Sequence, residues 1–514
     1  MHFFVLLCAR IVSLAWLLHG STPLYSTKKG LPQMKFKHLH KLILLAVGTV
    51  LFFNSCSSTI EEKTEFANAH NYDAQVYIKW NELFLEIDRF ADGNRPGPAP
   101  RALAYMGLSA YEGVVTGIPE NNSLESLYSG LDIPDAETDK EYYWPAVVNA
   151  SYGYLMQRFF FQLETQYPEL YGKIEAMERQ LNAEYAGKTT AEILERSNKH
   201  GIAVASAIYS YSQTDVTTHN AFLNPRPAEY NPPTGPGKWQ PTFPDYGKAM
   251  FPYWGKARTF ALKEAEKLCK PPIPYSENPN SLFYTQAMEV YNTVNMINNP
   301  APGQEALAYD ERWKAIFWSD DILNLTFGPP PRLIAVLDQV VAAQKTDLAG
   351  AAELYAKMGL ALNDAGVSLW HSKYFYNVER PVSYIQRVVA QNIPAAADWN
   401  TIMLNTNSGQ YETPSFPAYP SGHSGFGGAG AKILSSFFEY NQRNPGTYTF
   451  TDLCHVNRVE FIGTPRTFAS FKDLGDEDAY SRIPLGVHFR MDCVEGVRVG
   501  ELAAQRVLEL PWKK

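Results

Sequence analysis

Between Asp73 and about Thr214, apolar residues recur at spacings of three and four. That period predicts helices over Ala74–Phe90, Arg101–Glu112, Trp144–Leu163, Tyr171–Tyr185 and Thr190–Gln213. Thr190, just ahead of Ile193 and Leu194, reads as a capped helix start. Few segments alternate with period two, so this half is predicted to be an antiparallel helical bundle. The pattern lapses from Asn224 to Pro274, which is rich in Pro, Gly and aromatic residues, including Pro252-Tyr253-Trp254-Gly255. So long an aperiodic stretch inside a domain is usually functional or wraps a core. Periodicity resumes over Ser281–Ile297, Gly303–Ser319 and Arg332–Ala343, and Leu348–Asn377 reads as one long helix. Gln391–Pro420 is loop-rich, Ser421–Tyr440 is a helix with a glycine-dense first half, Phe468–Arg482 is mixed, and Leu485–Leu510 is the final helix. The expected fold is all-α, with two bundle-like regions, 73–275 and 276–514, the first ending in the Pro/Gly-rich connecting segment.

The N-terminus has a different character. Met34–Lys41 is basic, and Leu42–Phe53 is an apolar run of 12 residues, too short to span a bilayer. Phe53-Asn54-Ser55-Cys56 is similar to a loose bacterial lipobox. Residues 1–55 therefore read as a targeting segment, Cys56 as a lipidated residue, and 56–72 as a linker. An ordinary signal peptide with an incidental cysteine is the alternative. A second apolar stretch, Phe3–Leu18, lies upstream; Met34 is the expected true start, and an N-terminal membrane helix the alternative. The expected location is outside the cytoplasm: anchored to a bacterial outer membrane or cell surface, or periplasmic.

Charge narrows the function classes. The 514-residue chain carries a net charge of -8. Residues 1–55 hold six basic residues and no acidic ones, so the remainder sets 39 basic against 53 acidic residues. An acidic body disfavours nucleic-acid binding. Outside the targeting segment the cysteines are Cys269, Cys454 and Cys493, with no CxxC spacing, which leaves no zinc site and at most one disulfide.

Three stretches carry the candidate chemistry. Lys373 and Arg380 are seven apart, so two helical turns would return them to one face, with Trp370 on the same stripe. Pro381 is expected to end that helix just after Arg380. Pro420-Ser421-Gly422-His423 opens a helix, where free amides and the helix dipole suit an anion. Arg482 precedes Pro484, which reads as a first-turn proline and would put His488 in an early turn of the final helix. Asp492, four residues on, can fix the imidazole's tautomer. Singly these read as solvated cations, a plain capped helix start and a satisfied core histidine. Together they supply three cations, a hydroxyl, a glycine amide and two imidazoles, the inventory for caging a tetrahedral oxyanion in a dry pocket.

Lys-x6-Arg-Pro, Pro-Ser-Gly-His and Ser-Arg-x5-His-x3-Asp resemble the three signatures of the type 2 phosphatidic acid phosphatase superfamily, which includes the vanadium-dependent haloperoxidases. Trp370, and Phe416 in Phe416-Pro-Ala-Tyr-Pro-Ser-Gly-His423, point to the haloperoxidase branch. The resemblance implies helical bundles of the haloperoxidase or acid phosphatase type, with vanadate as cofactor; phosphate suits the same cage. It implies His488 as the residue bonded to vanadium, and Lys373, Arg380, Ser421, Gly422 and Arg482 as the groups holding its oxygens. His423 would be the acid–base group, Lys373 would polarise peroxide, Asp492 would support His488, and Trp370 and Phe416 would line the halide position. The implied substrates are hydrogen peroxide, halide and a small organic acceptor, and the product is hypohalous acid. The alternative enzyme is a phosphatase of the same superfamily, with His488 as nucleophile and His423 protonating the leaving group. A third reading is a non-enzymatic anchored lipoprotein. Ser424 and Glu379 depart from the family pattern, and Glu379 is expected to lower the local positive field.

Overall fold

A computed structural model describes residues 66–320, 322, 324–405, 408–439, 448–456 and 464–514. The targeting segment and Cys56 lie outside the described residues. Thirteen α-helices of seven residues or more account for most of the described chain. The first five are α1 (Gln75–Asp88), α2 (Pro98–Val114), α3 (Trp144–Phe159), α4 (Pro168–Tyr185) and α5 (Ala191–Gln213). Next come α6 (Leu282–Asn298), α7 (Glu305–Phe317), α8 (Pro329–Gln344), α9 (Leu348–Tyr376) and α10 (Pro381–Arg387). The last three are α11 (Gly422–Phe438), α12 (Phe471–Ser481) and α13 (Arg490–Leu508). Strand structure is confined, among the described residues, to two short antiparallel pairs, β1–β2 (Leu404–Asn405 with Gln410–Tyr411) and β3–β4 (Phe450–Asp452 with Arg466–Phe468). The all-α expectation holds, and Phe66–Lys514 forms one compact unit.

Helix α9 is the spine. It is apolar nearly all round, as a helix surrounded by others must be, and 23 of its 29 residues are buried. Asp347 caps its start, accepting from the Gly350 amide at 2.8 Å. It packs against α2 near the start of the chain and against α11 and α13 near its end. At the α2 crossing two glycines face each other's backbone: a Cβ on Gly107 would stand 2.7 Å from the Tyr355 carbonyl, and one on Gly359 2.5 Å from that of Leu103. In α11 the glycine-dense half admits α13, where a Cβ on Gly500 would collide with the Gly425 carbonyl.

The Pro/Gly-rich segment wraps this spine. Buried Asp364 of α9 accepts the amides of Phe260, Ala261 and Leu262, each at 2.8 Å. Ser368 and Ser372 both donate to the Lys267 carbonyl. Met250 offers its carbonyl to Trp370 Nε1 at 3.4 Å and to the Tyr374 hydroxyl at 2.6 Å. A segment with no ladder of its own thus satisfies its backbone on α9 side chains.

Two local expectations fail. Helix α9 ends at Tyr376, where Asn377 takes a left-handed conformation (φ 55°), and Pro381 starts α10 at its first position with extended Arg380 as the flanking residue. Proline there loses no helical bond, because the first amides have no partner inside a helix. Likewise Pro484 starts no helix: α12 ends at Ser481, Arg482 follows it, and α13 begins only at Arg490. His488 therefore sits on the connecting turn, two residues ahead of α13. The seven-residue helical return from Lys373 to Arg380 is not realised; the chain turns back between them.

Candidate active site

The three stretches converge at the start of α11. Ser421 caps that helix; its Oγ accepts from the Ser424 amide at 3.4 Å and from Ser424 Oγ at 2.7 Å. The Ser421 amide donates to the Asp492 carbonyl at 2.9 Å, tying α11 to α13. Trp370, Phe416, Gly422, His423, Arg482 and His488 line one cavity of about 20 Å³, room for about one water. A Cβ on Gly422 would sit 3.6 Å from the Trp370 ring, so the helix start lies directly under the indole.

Lys373 and Arg380 stand behind Phe416. Both are fully buried, and the Phe416 ring lies 5.0 Å from Lys373 Nζ and 5.0 Å from Arg380 Cζ. Lys373 donates to the carbonyls of Pro417 and Ala418, both at 2.9 Å. Arg380 donates to the carbonyls of Phe416 and Val487, both at 3.0 Å, and reaches His488 Nε2 at 3.2 Å. Arg482, also fully buried, donates to the Trp318 carbonyl at 3.3 Å. Burial, then the Arg380 charge, drives the Lys373 ammonium well below the usual lysine range. Burial is the larger cause, and the Arg380 and Arg482 charges add to it while Asp492 opposes it.

His488 is held neutral. Burial comes first, then Arg380, Lys373 and Arg482, and together they push its imidazolium form well below the usual range. Nδ1 lies 2.9 Å from Asp492 Oδ2, which also accepts the Phe489 amide at 3.0 Å. The Nδ1 proton therefore points to Asp492, and the Nε2 lone pair faces Arg380 and the cavity. Burial pushes Asp492 up to about 7, against the pull of the Phe489 amide and of Lys373 and Arg380.

Of the candidate site residues, Trp370, Phe416, Gly422, His423, Arg482 and His488 line the cavity, and Lys373, Arg380, Ser421 and Asp492 stand around it through the contacts above. Glu379 is the exception to its expected effect: it is buried and bonded to Arg387 at 2.8 and 3.1 Å, so its charge is spent on that guanidinium. Sequence reasoning missed the apolar remainder of the wall, Pro96, Pro329, Pro414 and Phe426. It also missed a second cavity of about 240 Å³ that shares Pro96, Pro414 and Phe416 with the first. Their only local signal is proline at a helix start or in a loop, which is common. Among the described residues no three His, Cys, Asp or Glu side chains gather to hold a metal cation. The donor set instead fits a tetrahedral oxyanion: buried cations, a helix start and one imidazole nitrogen with its lone pair inward.

Residues 353–511 match the family model of the second helical-bundle domain of VCPO. The vanadium chloroperoxidase of Curvularia inaequalis is 26% identical, over 82% of this chain and 79% of that protein. Among solved structures, one described as the first bacterial vanadium-dependent iodoperoxidase superposes with a TM-score of 0.70 at 27% identity, covering 85% of this chain and 96% of that one. The chain is a vanadium haloperoxidase-like protein. A holo-type bacterial vanadium-dependent chloroperoxidase shares the haloperoxidase-like fold, with a TM-score of 0.58 at 14% identity over 81% of this chain and 94% of that one.

Proposed function

We propose that this protein is a vanadate-dependent haloperoxidase that oxidises halide with hydrogen peroxide to hypohalous acid. The observation that carries the reading is the neutral His488, its Nε2 lone pair turned inward among Lys373, Arg380 and Arg482. In this reading His488 would hold vanadate, with Asp492 fixing the tautomer of its ring. Lys373, Arg380, Arg482, the Ser421 hydroxyl and the Gly422 amide would hold its oxygens. Vanadate, when bound, would supply the Lewis-acid centre that activates hydrogen peroxide to accept two electrons from halide. His423, on the cavity wall, would take and return the proton of peroxide. Trp370 and Phe416, whose ring centroids are 5.1 Å apart, form the dry wall against which a halide stands. A phosphatase of the same cage would use His488 as nucleophile and would have no need of that wall.

The test is an assay of purified protein, with and without orthovanadate, for halide oxidation and for phosphate release. Vanadate-dependent oxidation of iodide, bromide or chloride is the expected result. Phosphate-ester cleavage by vanadate-free protein, with no halide oxidised after loading, would replace this reading by the phosphatase. His423→Ala is expected to lower turnover by about a hundred- to ten-thousand-fold, the usual contribution of an acid–base group, while vanadate affinity stays near wild type.

We further propose export and lipid anchoring at Cys56, supported by the basic, apolar, cysteine order of residues 34–56. A fatty-acid probe should label the wild type in cells and leave Cys56→Ala unlabelled.

A further inference from the structure

The second cavity lies between the rim and the site, sharing Pro96, Pro414 and Phe416 with the site cavity. Its outer wall includes exposed Asp92, Arg226 and Asp245, and its inner wall is Phe416, the ring that also lines the site cavity. Two methionines, Met250 and Met403, stand in this antechamber. Met250 is held against the site by its backbone: its amide donates to the Ser415 carbonyl at 2.9 Å, next to Phe416. Its carbonyl accepts the Trp370 indole proton at 3.4 Å. Met403 is only 3% exposed, so bulk reagents reach it poorly, yet it faces the same space.

Hypohalous acid leaving the site by this route meets two thioethers before it meets solvent. We propose that Met250 and Met403 are the sites at which the enzyme's own product oxidises it, each to methionine sulfoxide. This rests on the haloperoxidase reading, because that activity supplies the oxidant. The step balances: the sulfur lone pair attacks the halogen and releases hydroxide, water then adds its oxygen to sulfur, and halide and protons leave. Net, sulfur loses two electrons and gains one oxygen, and halogen passes from +1 to −1. The change places a polar group beside Phe416 in a space walled partly by apolar side chains, and methionine sulfoxide reductases reverse it. The antechamber thus tallies turnover: the more oxidant released, the more its wall is converted.

The experiment is peptide mass spectrometry of the vanadate-loaded full chain after turnover with bromide and peroxide. Met177, Met288 and Met296 serve as internal references, since they are half-buried like Met250 but do not line this cavity. Gain of one oxygen at Met250 and Met403 should exceed that at the references at least several-fold. The excess should vanish with peroxide alone, and it should shrink when hypobromite is added from outside. The double variant Met250→Leu, Met403→Leu should start at wild-type rate and keep its activity through several-fold more turnovers. Even oxidation across the five methionines, or equal oxidation without bromide, overturns the proposal. An enzyme that oxidises bromide while both methionines stay intact overturns it and leaves the function standing; an enzyme that oxidises no halide overturns both.

Discussion

Lys373 and Arg332 are both buried cations, and the difference between them explains the site. Arg332, in the first turn of α8, is 1% exposed. Its guanidinium bonds Asp452 at 2.7 Å and His455 Nε2 at 2.8 Å, reaches Asp320 at 3.4 Å, and lies over the rings of Phe317 and Trp318 at 4.7 and 4.8 Å. Burial pulls its pKa down, but the Asp452 and Asp320 charges more than reverse this, so the charged form is favoured beyond the usual arginine range. Lys373 meets two carbonyl dipoles and a neighbouring guanidinium, and its charged form is disfavoured. One cation is complete within the protein. The other bonds two carbonyls and, among the described residues, no carboxylate. Trp318 links Arg332 to Arg482 of the site, because its ring carries Arg332 and its carbonyl carries Arg482.

The sharpest way to break this contrast is by stability. Arg332→Met strands the buried Asp452 carboxylate and should cost about 3–5 kcal/mol, read as a fall in the urea midpoint. An unchanged midpoint would mean the pair is not structural. Lys373→Met should instead change the unfolding free energy by no more than about 1–2 kcal/mol, since two lost hydrogen bonds are offset by relief of a buried charge. The same variant should weaken orthovanadate binding by roughly ten- to a hundredfold in calorimetry, the value of one charge-assisted hydrogen bond. Comparable losses of stability in both variants would erase the distinction.

The pH dependence sharpens it. In the anion-free protein the Lys373 pKa lies well below its unfolded value, so between the two the unfolded chain binds the extra proton and stability rises with pH. A bound anion lifts that pKa, so binding takes up a proton and affinity falls as pH rises through the anion-free value. Lys373→Met, which lacks the group, supplies the baseline for vanadate's own ionisation. An equal pH slope in variant and wild type would contradict the assignment.

The smallest effect belongs to a paired cation near the surface. His70 lies 2.9 Å from Asp347 and 2.9 Å from Glu120, and the Asp347 bond leads in raising its pKa. Its contribution is full below about pH 6.5 and is lost as pH rises through the raised folded value. With the side chain 39% exposed, His70→Gln should cost under about 1 kcal/mol at pH 5.5 and less at pH 8.5, by thermal unfolding.

Much of this was legible in the sequence. Helix period, the Thr190 cap (Thr190 Oγ1 accepts from the Ile193 amide at 3.3 Å) and the length of α9 all follow from local spacing. The site residues were legible because motif chemistry, not contact, identified them. Arg332 read only as the first residue of a helix, since Asp452 and His455 lie more than a hundred residues downstream and no local spacing marks them. The two misplaced helix ends share one cause. A proline is compatible with both the stop of one helix and the start of the next, and at Pro381 the left-handed Asn377 had already stopped α9.

The glycine crossing of α2 and α9 sets the alignment tolerance of the whole machine. Gly359 and Lys373 ride on the same rigid rod, 14 residues or roughly 21 Å apart. With each helix seated in the other's backbone, α9 has no freedom to slide or rotate where it crosses α2. A side chain added at Gly107 or Gly359 would lift the rod at one end and misaim the ammonium at the other. Misplacements of about 1 Å can cost a hundredfold in rate. Helix α2, far along the rod from Lys373, is the bearing in which that lysine is trued.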